Sequence, residues 1–535
     1  MTELLDQAAL IAALCGVLRE RHGAPDVQVL ETHISYVLLT GQHAYKIKKA
    51  VKLDFLDFST LALRRFYCQE ELRLNRRYAP HLYLAVVAIG GTLETPVIDG
   101  AGPAIEYAVK MREFAQDDLA SRMLARDQLA PSHIDLLAAM LATFHHSCRR
   151  ASVASPYGRE EGIVQLARDN FAAIGRLPWE PPPAPAEVDG IGQWTEREFA
   201  ARRSTFGQRR IDGQVRECHG DLHLGNIARI DGELTFFDCL EFSEDFRWVD
   251  VMNEVAFLAM DLAAGGRHDF SWRLLNGYLE ASGDYAGMAV LRFYVVYRAM
   301  VRAKIALLQL AQRGGAVQPE LLADYRRHVD VAGRFARPSA PALILMHGLS
   351  GSGKTAVSQG LLETLGAVRL RSDVERKRLA GMQTHARSQS PLGGGLYADD
   401  VTGATYQRLL ALARDIVRAG HAVIIDATFL DQRQRRMFRD CAQQEQAPFA
   451  IVSLAAPEAV LRERIGQRAR AGHDASEADL AVLDLQLCIQ EPFTSDELPA
   501  VLFYDATRPL ADSASAAALQ PLLERLGCSR QGPAN

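Results

Sequence analysis

Two periods of apolar residues run along this chain, and they change places near its middle. Leu4–His22 has the spacing of an amphipathic helix. His33–Leu39 reads as a strand, Thr40–Gln42 as a turn and His43–Lys48 as the hairpin partner. Leu61–Tyr78 is a predicted helix, Ala85–Ile89 and Ala104–Met111 are two more strands, and Phe114–Asp118 is placed as a hinge. His133–Ser147 is helical, and Pro178–Gly192 reads as a surface loop from its prolines and glycines. Val215–Cys218 is a strand, and Asn226–Arg229 pairs with Glu233–Phe237 around the hairpin dipeptide Asp231-Gly232. Asp245–Asp261 and Leu291–Leu310 are helices. After Pro338 and Pro341 the pattern changes to short apolar runs at Leu343–Met346, Val368–Arg371 and Ala422–Ile425, separated by helices at Ala356–Leu365 and Thr405–Arg418. Such alternation predicts a parallel sheet with helices on both faces. The expected fold is therefore multidomain, α+β then α/β, with domains at 1–332 and 342–535 and a linker at 333–341. Few contacts are expected to cross that linker, so a cut near Arg337 is expected to give two soluble halves.

Composition narrows the class. At 535 residues the chain is too long for one core, and 48% apolar content is that of a globular protein. A net charge of −5 supplies no basic field, which argues against nucleic acid or a membrane surface as partner. Eight cysteines without a C-x-x-C pair read as reduced thiols with no structural zinc. The start Met-Thr-Glu-Leu-Leu-Asp lacks a basic leader, and no apolar run has membrane-spanning length, so a cytoplasmic location is expected.

The stretch from Gly348 to Thr355 fits G-x-x-x-x-G-K-[ST] without a mismatch. It lies between a predicted strand and a predicted helix, as this motif requires. Gly348, Gly351, Ser352 and Gly353 let backbone N–H groups approach a polyphosphate, and Lys354 supplies a mobile charge for it. The Thr355 hydroxyl suits Mg²⁺, with Asp426 at the end of the third strand as a second ligand, direct or through water. Asp373 follows the second strand and is placed to take a proton from an acceptor hydroxyl; each aspartate alone could be a helix cap, and the shared sheet edge argues against that. Leu461–Ala471 brings Arg464 and Arg468 to one helix face, either to close on phosphates or as a solvated basic helix. Gly472–Glu477 beyond it reads as a mobile lid.

The first half carries a second set of residues. Ala44, Lys46 and Lys48 share a strand face, with Lys46 the first choice to meet a nucleotide, Lys48 the second, and a solvated lysine face the plain alternative. Glu71 lies on an apolar helix stripe and needs a partner such as Lys46; Glu70 is the alternative. In His219-Gly-Asp221-Leu-His-Leu-Gly-Asn226, followed by the hairpin and Asp238, Asn226 and Asp238 meet at the open end of the hairpin. Two oxygen ligands there suit Mg²⁺, and Asp221 beside them suits a base. His219 is read as a brace for the loop, and Asp250 as either a pin for it or an exposed acid.

H-G-D-L-H-x-G-N with a hairpin and F-D resembles the aminoglycoside phosphotransferase family, relatives of protein kinases, over about residues 25–330. The small residue two before Lys46 likewise resembles the kinase V-A-I-K strand, and Lys46 with Glu71 the kinase lysine–glutamate pair. The resemblance implies a two-lobed kinase fold holding ATP and Mg²⁺, with Asp221 as catalytic base and Asn226 and Asp238 as metal ligands. Asp238-Cys239-Leu240 stands where protein kinases have D-F-G, and no G-x-G-x-x-G precedes Lys46. Residues 342–510 resemble small P-loop kinases such as gluconate kinase, the zeta-toxin type and phage polynucleotide kinase. The whole chain is similar to bacterial fusions of the two. This implies a bifunctional ATP-dependent phosphotransferase acting on small-molecule hydroxyls. The alternatives are a regulatory protein with one degenerate domain, or a polynucleotide 5′-hydroxyl kinase. The latter is favoured by Arg369, Arg371, Arg376, Lys377 and Arg378 and opposed by the acidic total.

Overall fold

The computed structural model describes residues 2–22, 26–53, 56–100, 102–177, 185–312, 318–337, 340–383, 386, 395–471, 478–507 and 516–527. The chain forms two compact units. Residues 1–133, 144–163 and 207–261 make the first; 134–143, 164–206 and 262–535 make the second.

In the first unit, helix α1 (Thr2–His22) precedes strands β1 (Gln28–Glu31), β2 (Ser35–Leu39) and β3 (His43–Lys48). Helix α2 (Leu61–Asn75) then leads to β4 (Tyr83–Gly91), β5 (Pro96–Ile98) and β6 (Glu106–Arg112). The six strands pair antiparallel in the order β1-β2-β3-β6-β4-β5. Strand side chains alternate between faces. Leu10, Leu14 and Leu18, spaced along one stripe of α1, pack with Tyr36, Leu38, Tyr45 and Ile47. Cys68 and Leu74 of α2 pack with Leu39, Ala44, Val109 and Met111. The two clusters take alternate residues of β2 and β3, which places Lys46 and Lys48 on the α2 side with Ala44. All three lysines of this stretch are buried, so the solvated face is ruled out for Lys46, Lys48 and Lys49.

Helix α3 (Pro185–Ile211) occupies part of the stretch expected to be loop. Proline at the first helical position costs no hydrogen bond, and Glu187 stands in the first turn. Residues 178–184 of that stretch lie outside the described residues. Strands β7 (Val215–Glu217), β8 (Ile227–Ile230), β9 (Glu233–Phe236) and β10 (Trp248–Asp250) follow, then helix α4 (Val251–Ala264). β8 and β9 form the expected hairpin, with Asp231 and Gly232 both left-handed at its turn. The helix expected from Asp245 is broken because Trp248–Asp250 pairs with β7 instead.

The second unit contains helices α5 (His268–Ser282), α6 (Met288–Gln312) and α7 (Pro319–Ala336). It continues with β11 (Leu343–His347), α8 (Lys354–Leu365), β12 (Val368–Arg371) and α9 (Ser372–Leu379). After these come β13 (Val423–Asp426), β14 (Phe449–Ala455), α10 (Glu458–Ala471) and β15 (Val501–Asp505). The five strands are parallel in the order β12-β13-β11-β14-β15. Sequence patterning anticipated three of them. The mixed α/β multidomain fold with a C-terminal parallel sheet is thus the one expected. Among the described residues no helix is long and apolar enough to cross a membrane.

Contacts across the expected linker are extensive, contrary to the sequence reading. α7 runs to Ala336, four residues into that linker. β12 is the edge strand, and the Asn276 side chain of α5 pairs with it: Nδ2 donates to Ala367 O (2.9 Å) and Oδ1 accepts from Arg369 N–H (2.7 Å). Trp272, one turn earlier, packs on the core of the sheet. It meets Gly366, where a Cβ would lie 2.7 Å from Trp272 Nε1 and where φ is +67°. His421, just ahead of β13, is bonded through Nε2 to Met288 O (3.1 Å) and lies beside Trp272. Burial, with Arg292 nearby, holds its imidazole neutral and pushes its pKa down to about 4.

Asn276→Ala leaves the buried Arg369 N–H of β12 and the Ala367 C=O just ahead of it unpaired, so thermal unfolding should show a loss of about 1–3 kcal/mol per orphaned group. His421 sets a pH dependence. Folded His421 refuses a proton down to about pH 4, while the unfolded imidazole takes one from about 6.5. Its contribution is intact above 6.5 and is lost as pH falls towards 4. Unfolding followed across that window should be less pH-dependent in His421→Gln than in wild type.

Candidate functional site

Within the first unit, Glu71 faces both lysines of β3. Lys46 Nζ lies 2.9 Å from Glu71 Oε1 and Lys48 Nζ 2.7 Å from Glu71 Oε2. Lys46 also bonds Asp238, and Lys48 bonds Glu241. Burial alone would raise the Glu71 carboxyl, but the two ammonium groups outweigh it and hold its pKa at about 2. Burial would likewise lower Lys46, yet Asp238 and Glu71 raise it well above the ordinary lysine value. Glu241 goes the other way, with burial pushing it up against the pull of Lys48. The lysines differ in access. The Lys48 side chain is 0% exposed, whereas Lys46 reaches Asp238, whose side chain is 41% exposed. Glu70 points elsewhere, pairing with Arg73 at 2.9 Å.

The loop 218–226 and the segment after β9 are laced together. His219 is fully buried, stacks on Tyr78, and is bonded through Nε2 to Phe237 O (2.8 Å). Burial lowers its pKa, so it braces as a neutral ring. Leu240 N–H donates to His219 O (3.0 Å), and Asp238, in the left-handed region at φ 61°, donates its N–H to Tyr83 Oη (2.9 Å). Asn226 Nδ2 donates to Asp221 O (2.9 Å) and Oδ2 (3.2 Å). The structure therefore brings Lys46, Glu71 and Asp238 together at one point, and Asp221 and Asn226 at another in the loop that enters the hairpin. With its amide nitrogen turned to Asp221, Asn226 has its Oδ1 to offer a cation. The backbone of Phe237, next to Asp238, donates to Asn226 O at 3.0 Å, so the two oxygen-bearing side chains stand on paired segments.

Sequence reading missed what holds this loop. Glu254, fully buried on α4, accepts from Gly220 N–H (2.7 Å) and is bonded to His145 Nε2 (2.9 Å). Asp261, two turns along, accepts from Leu224 N–H (2.8 Å). Two acids seven residues apart in a helix that is apolar but for Asn253 were the available signal. Asp250 is not exposed; it is buried against Arg209 in a two-pronged pair at 2.7 Å. Gly220 is required where it stands, because a Cβ there would fall 2.8 Å from Phe246 O.

In the second unit the phosphate loop follows β11 directly. Gly351 is left-handed (φ 83°), and a Cβ on it would lie 2.8 Å from Leu461 O. Gly353 caps α8, so that helix points its N-terminus at the loop. Lys354 Nζ donates to Gly348 O (2.9 Å) and Leu349 O (3.0 Å). Burial lowers its pKa despite Asp426 and Asp373. Thr355 Oγ1 donates to Asp426 Oδ2 at 2.8 Å, a hydroxyl and a carboxylate in position for a hard cation. Ser352 is buried within the loop. Asp373 stands in the first turn of α9. Arg464 and Arg468 hold backbone carbonyls, of Ala506 at 2.8 Å and Ala478 at 2.5 Å. The lid expected at 472–477 lies outside the described residues.

Comparison with known proteins places these residues in context. The AAA domain family, in its AAA_33 form, matches residues 343–492. Among solved structures, a gluconokinase from Sinorhizobium meliloti is similar at 24% identity, covering 35% of this chain and 97% of that one, with a TM-score of 0.26. A choline/ethanolamine kinase family protein from Mesorhizobium loti is similar at 12% identity, covering 61% and 99%, with a TM-score of 0.37. The uncharacterized protein Rv2004c of Mycobacterium tuberculosis is 31% identical over 464 residues, 86% of this chain and 90% of that protein. An uncharacterized protein of Mycobacterium bovis, Mb2027c, matches to the same extent. With most of both chains aligned, and both sets of site residues built on one continuous polypeptide, this protein belongs to the family of the mycobacterial Rv2004c.

Proposed function

We propose that the protein is an ATP-dependent phosphotransferase with two sites, one in residues 1–332 and one in 342–535, each acting on a hydroxyl of a small molecule. The observation that carries this reading is the phosphate loop with Lys354 inside it and Thr355 bonded to Asp426 at 2.8 Å, at the carboxyl edge of a parallel sheet. Lys354 rests on loop carbonyls, and the charged oxygens of a polyphosphate are stronger acceptors for the same ammonium. Thr355 and Asp426 would hold Mg²⁺ there, as Asn226 and Asp238 would in the first half. Mg²⁺, when bound, neutralises charge on the phosphates. Asp373 and Asp221 are the carboxylates offered to accept the acceptor's proton, and Asn226 orients Asp221. Lys46, braced by Glu71 and the more accessible of its pair, is the lysine offered to nucleotide in the first half. Arg464 and Arg468, both on the helix beside the loop, are the arginines offered to close on the phosphates.

Calorimetry on the full chain should find two Mg²⁺–ATP sites. Lys354→Ala should weaken one of them roughly 10–100-fold through lost charged hydrogen bonds. A single site in wild type favours a degenerate domain, and an unchanged isotherm in the variant ends the phosphate-loop reading.

Asp221→Asn should lower transfer by the first site about 10²–10⁴-fold with ATP binding retained, the usual worth of a general base. Asp238→Asn should instead raise the Mg²⁺ needed. ADP release measured on a panel of sugars, amino sugars and oligonucleotides separates small-molecule from polynucleotide acceptors. Wild-type turnover in both variants on a verified acceptor would exclude the hairpin from catalysis.

A further inference from the structure

A run of charge behind β12 has no part in the steps above, although it ends at the proposed cation ligand. Glu280 of α5 accepts from Arg371 Nη1 at 2.8 Å through Oε1, and its Oε2 lies 3.5 Å from Arg369 Nη2. Arg378 Nη2 donates to the Glu280 carbonyl at 2.6 Å, which fixes the end of the helix beside α9. Arg369 is only 9% exposed. Its Nη1 donates to Thr355 O (3.2 Å) and Ser358 Oγ (3.3 Å). Ser358 Oγ in turn lies 3.5 Å from Asp426 Oδ2, the oxygen that accepts from Thr355. Contact is thus continuous from Glu280 through Arg369 and Ser358 to Asp426, with charges in the order minus, plus, minus.

A buried guanidinium keeps its charge, so it must share carboxylates with whatever else needs them. Glu280, in direct contact, and Asp426, one hydroxyl away through Ser358, are the carboxylates beside Arg369. Held by Glu280, Arg369 makes only hydrogen bonds to the phosphate loop and its helix. Released from Glu280, it has Asp426 as counter-charge, and it would then compete with a cation for the same oxygens. Water screens little at this depth, so the competition is strong.

We propose that Glu280 is a positioning residue for the phosphate-loop site: by holding Arg369 it leaves the Asp426 oxygens to Mg²⁺. A helix that precedes the P-loop segment thereby sets that segment's affinity for metal. The proposal rests on the phosphate-loop reading given above.

The test is a Mg²⁺ titration of the Lys354-dependent binding of a fluorescent ATP analogue by the full chain. Glu280→Gln should raise the half-saturating Mg²⁺ about three- to tenfold, with metal-free binding unchanged or tighter. Arg369→Gln removes the competitor and should lower the half-saturating Mg²⁺. The double variant should fall within about twofold of Arg369→Gln alone, because the effect of Glu280 on the metal site then has no Arg369 to act through, its bond to Arg371 notwithstanding. Asn276→Ala, a neighbouring change with no charge, should lower the unfolding temperature without moving the Mg²⁺ requirement. A wild-type Mg²⁺ requirement in Glu280→Gln, or equal loss of metal-free binding, overturns the proposal. Should Glu280→Gln fail to fold, a raised Mg²⁺ requirement in Arg369→Gln overturns it independently. Absence of Lys354-dependent nucleotide binding in wild type would overturn the phosphate-loop reading itself, and this proposal with it.

Discussion

A charge removed from water has to be met by an opposite charge, and both candidate sites are built on that constraint. In the first unit two lysines of one strand face are held by Glu71 from the helix beside them and by Asp238 and Glu241 from the segment after the hairpin. Those pairs tie the sheet, α2 and the hairpin segment together. In the second unit Lys354, Arg369 and Asp426 share a small volume under the phosphate loop, with Glu280 closing the account from outside. None of these pairs need add stability over an apolar core. What they fix is where each ionised atom stands, and position is what phosphoryl chemistry requires.

The constraint also explains what could be read from sequence. Gly348–Thr355 was legible because the chemistry of a phosphate loop lies within one short stretch, with its strand and helix adjoining. The alternation of β3 was legible too, since period two places Lys46 and Lys48 with Ala44. That both lysines share Glu71, so that Lys48 becomes a sealed partner, depends on packing from elsewhere in the chain. Glu254 holding Gly220, and Asn276 pairing with β12, join residues 34 and 93 positions apart. No local period records such a meeting.

Other gaps have different causes. Phe449–Ala455 and Val501–Asp505 are apolar enough to be read as strands, but no motif drew attention to them. The start of Pro185–Ile211, up to Gly192, looked like loop because proline and glycine count against helices in general, whereas at the first helical turn proline is well tolerated. Trp248–Asp250 was absorbed into a helix because a three-residue strand shows no period of its own.

Asn276 has a bearing on how such chains can be assembled. Its side-chain amide does for β12 what a sixth strand would do, offering one donor and one acceptor to the open side of the sheet. A gene segment beginning at the first residue matched by the AAA domain family would carry the sheet and leave that amide behind. The freed edge would seek another strand, its own copy included. The unit that could be exchanged between genes as a working piece is therefore longer than the unit that sequence comparison outlines, and it begins upstream of Asn276.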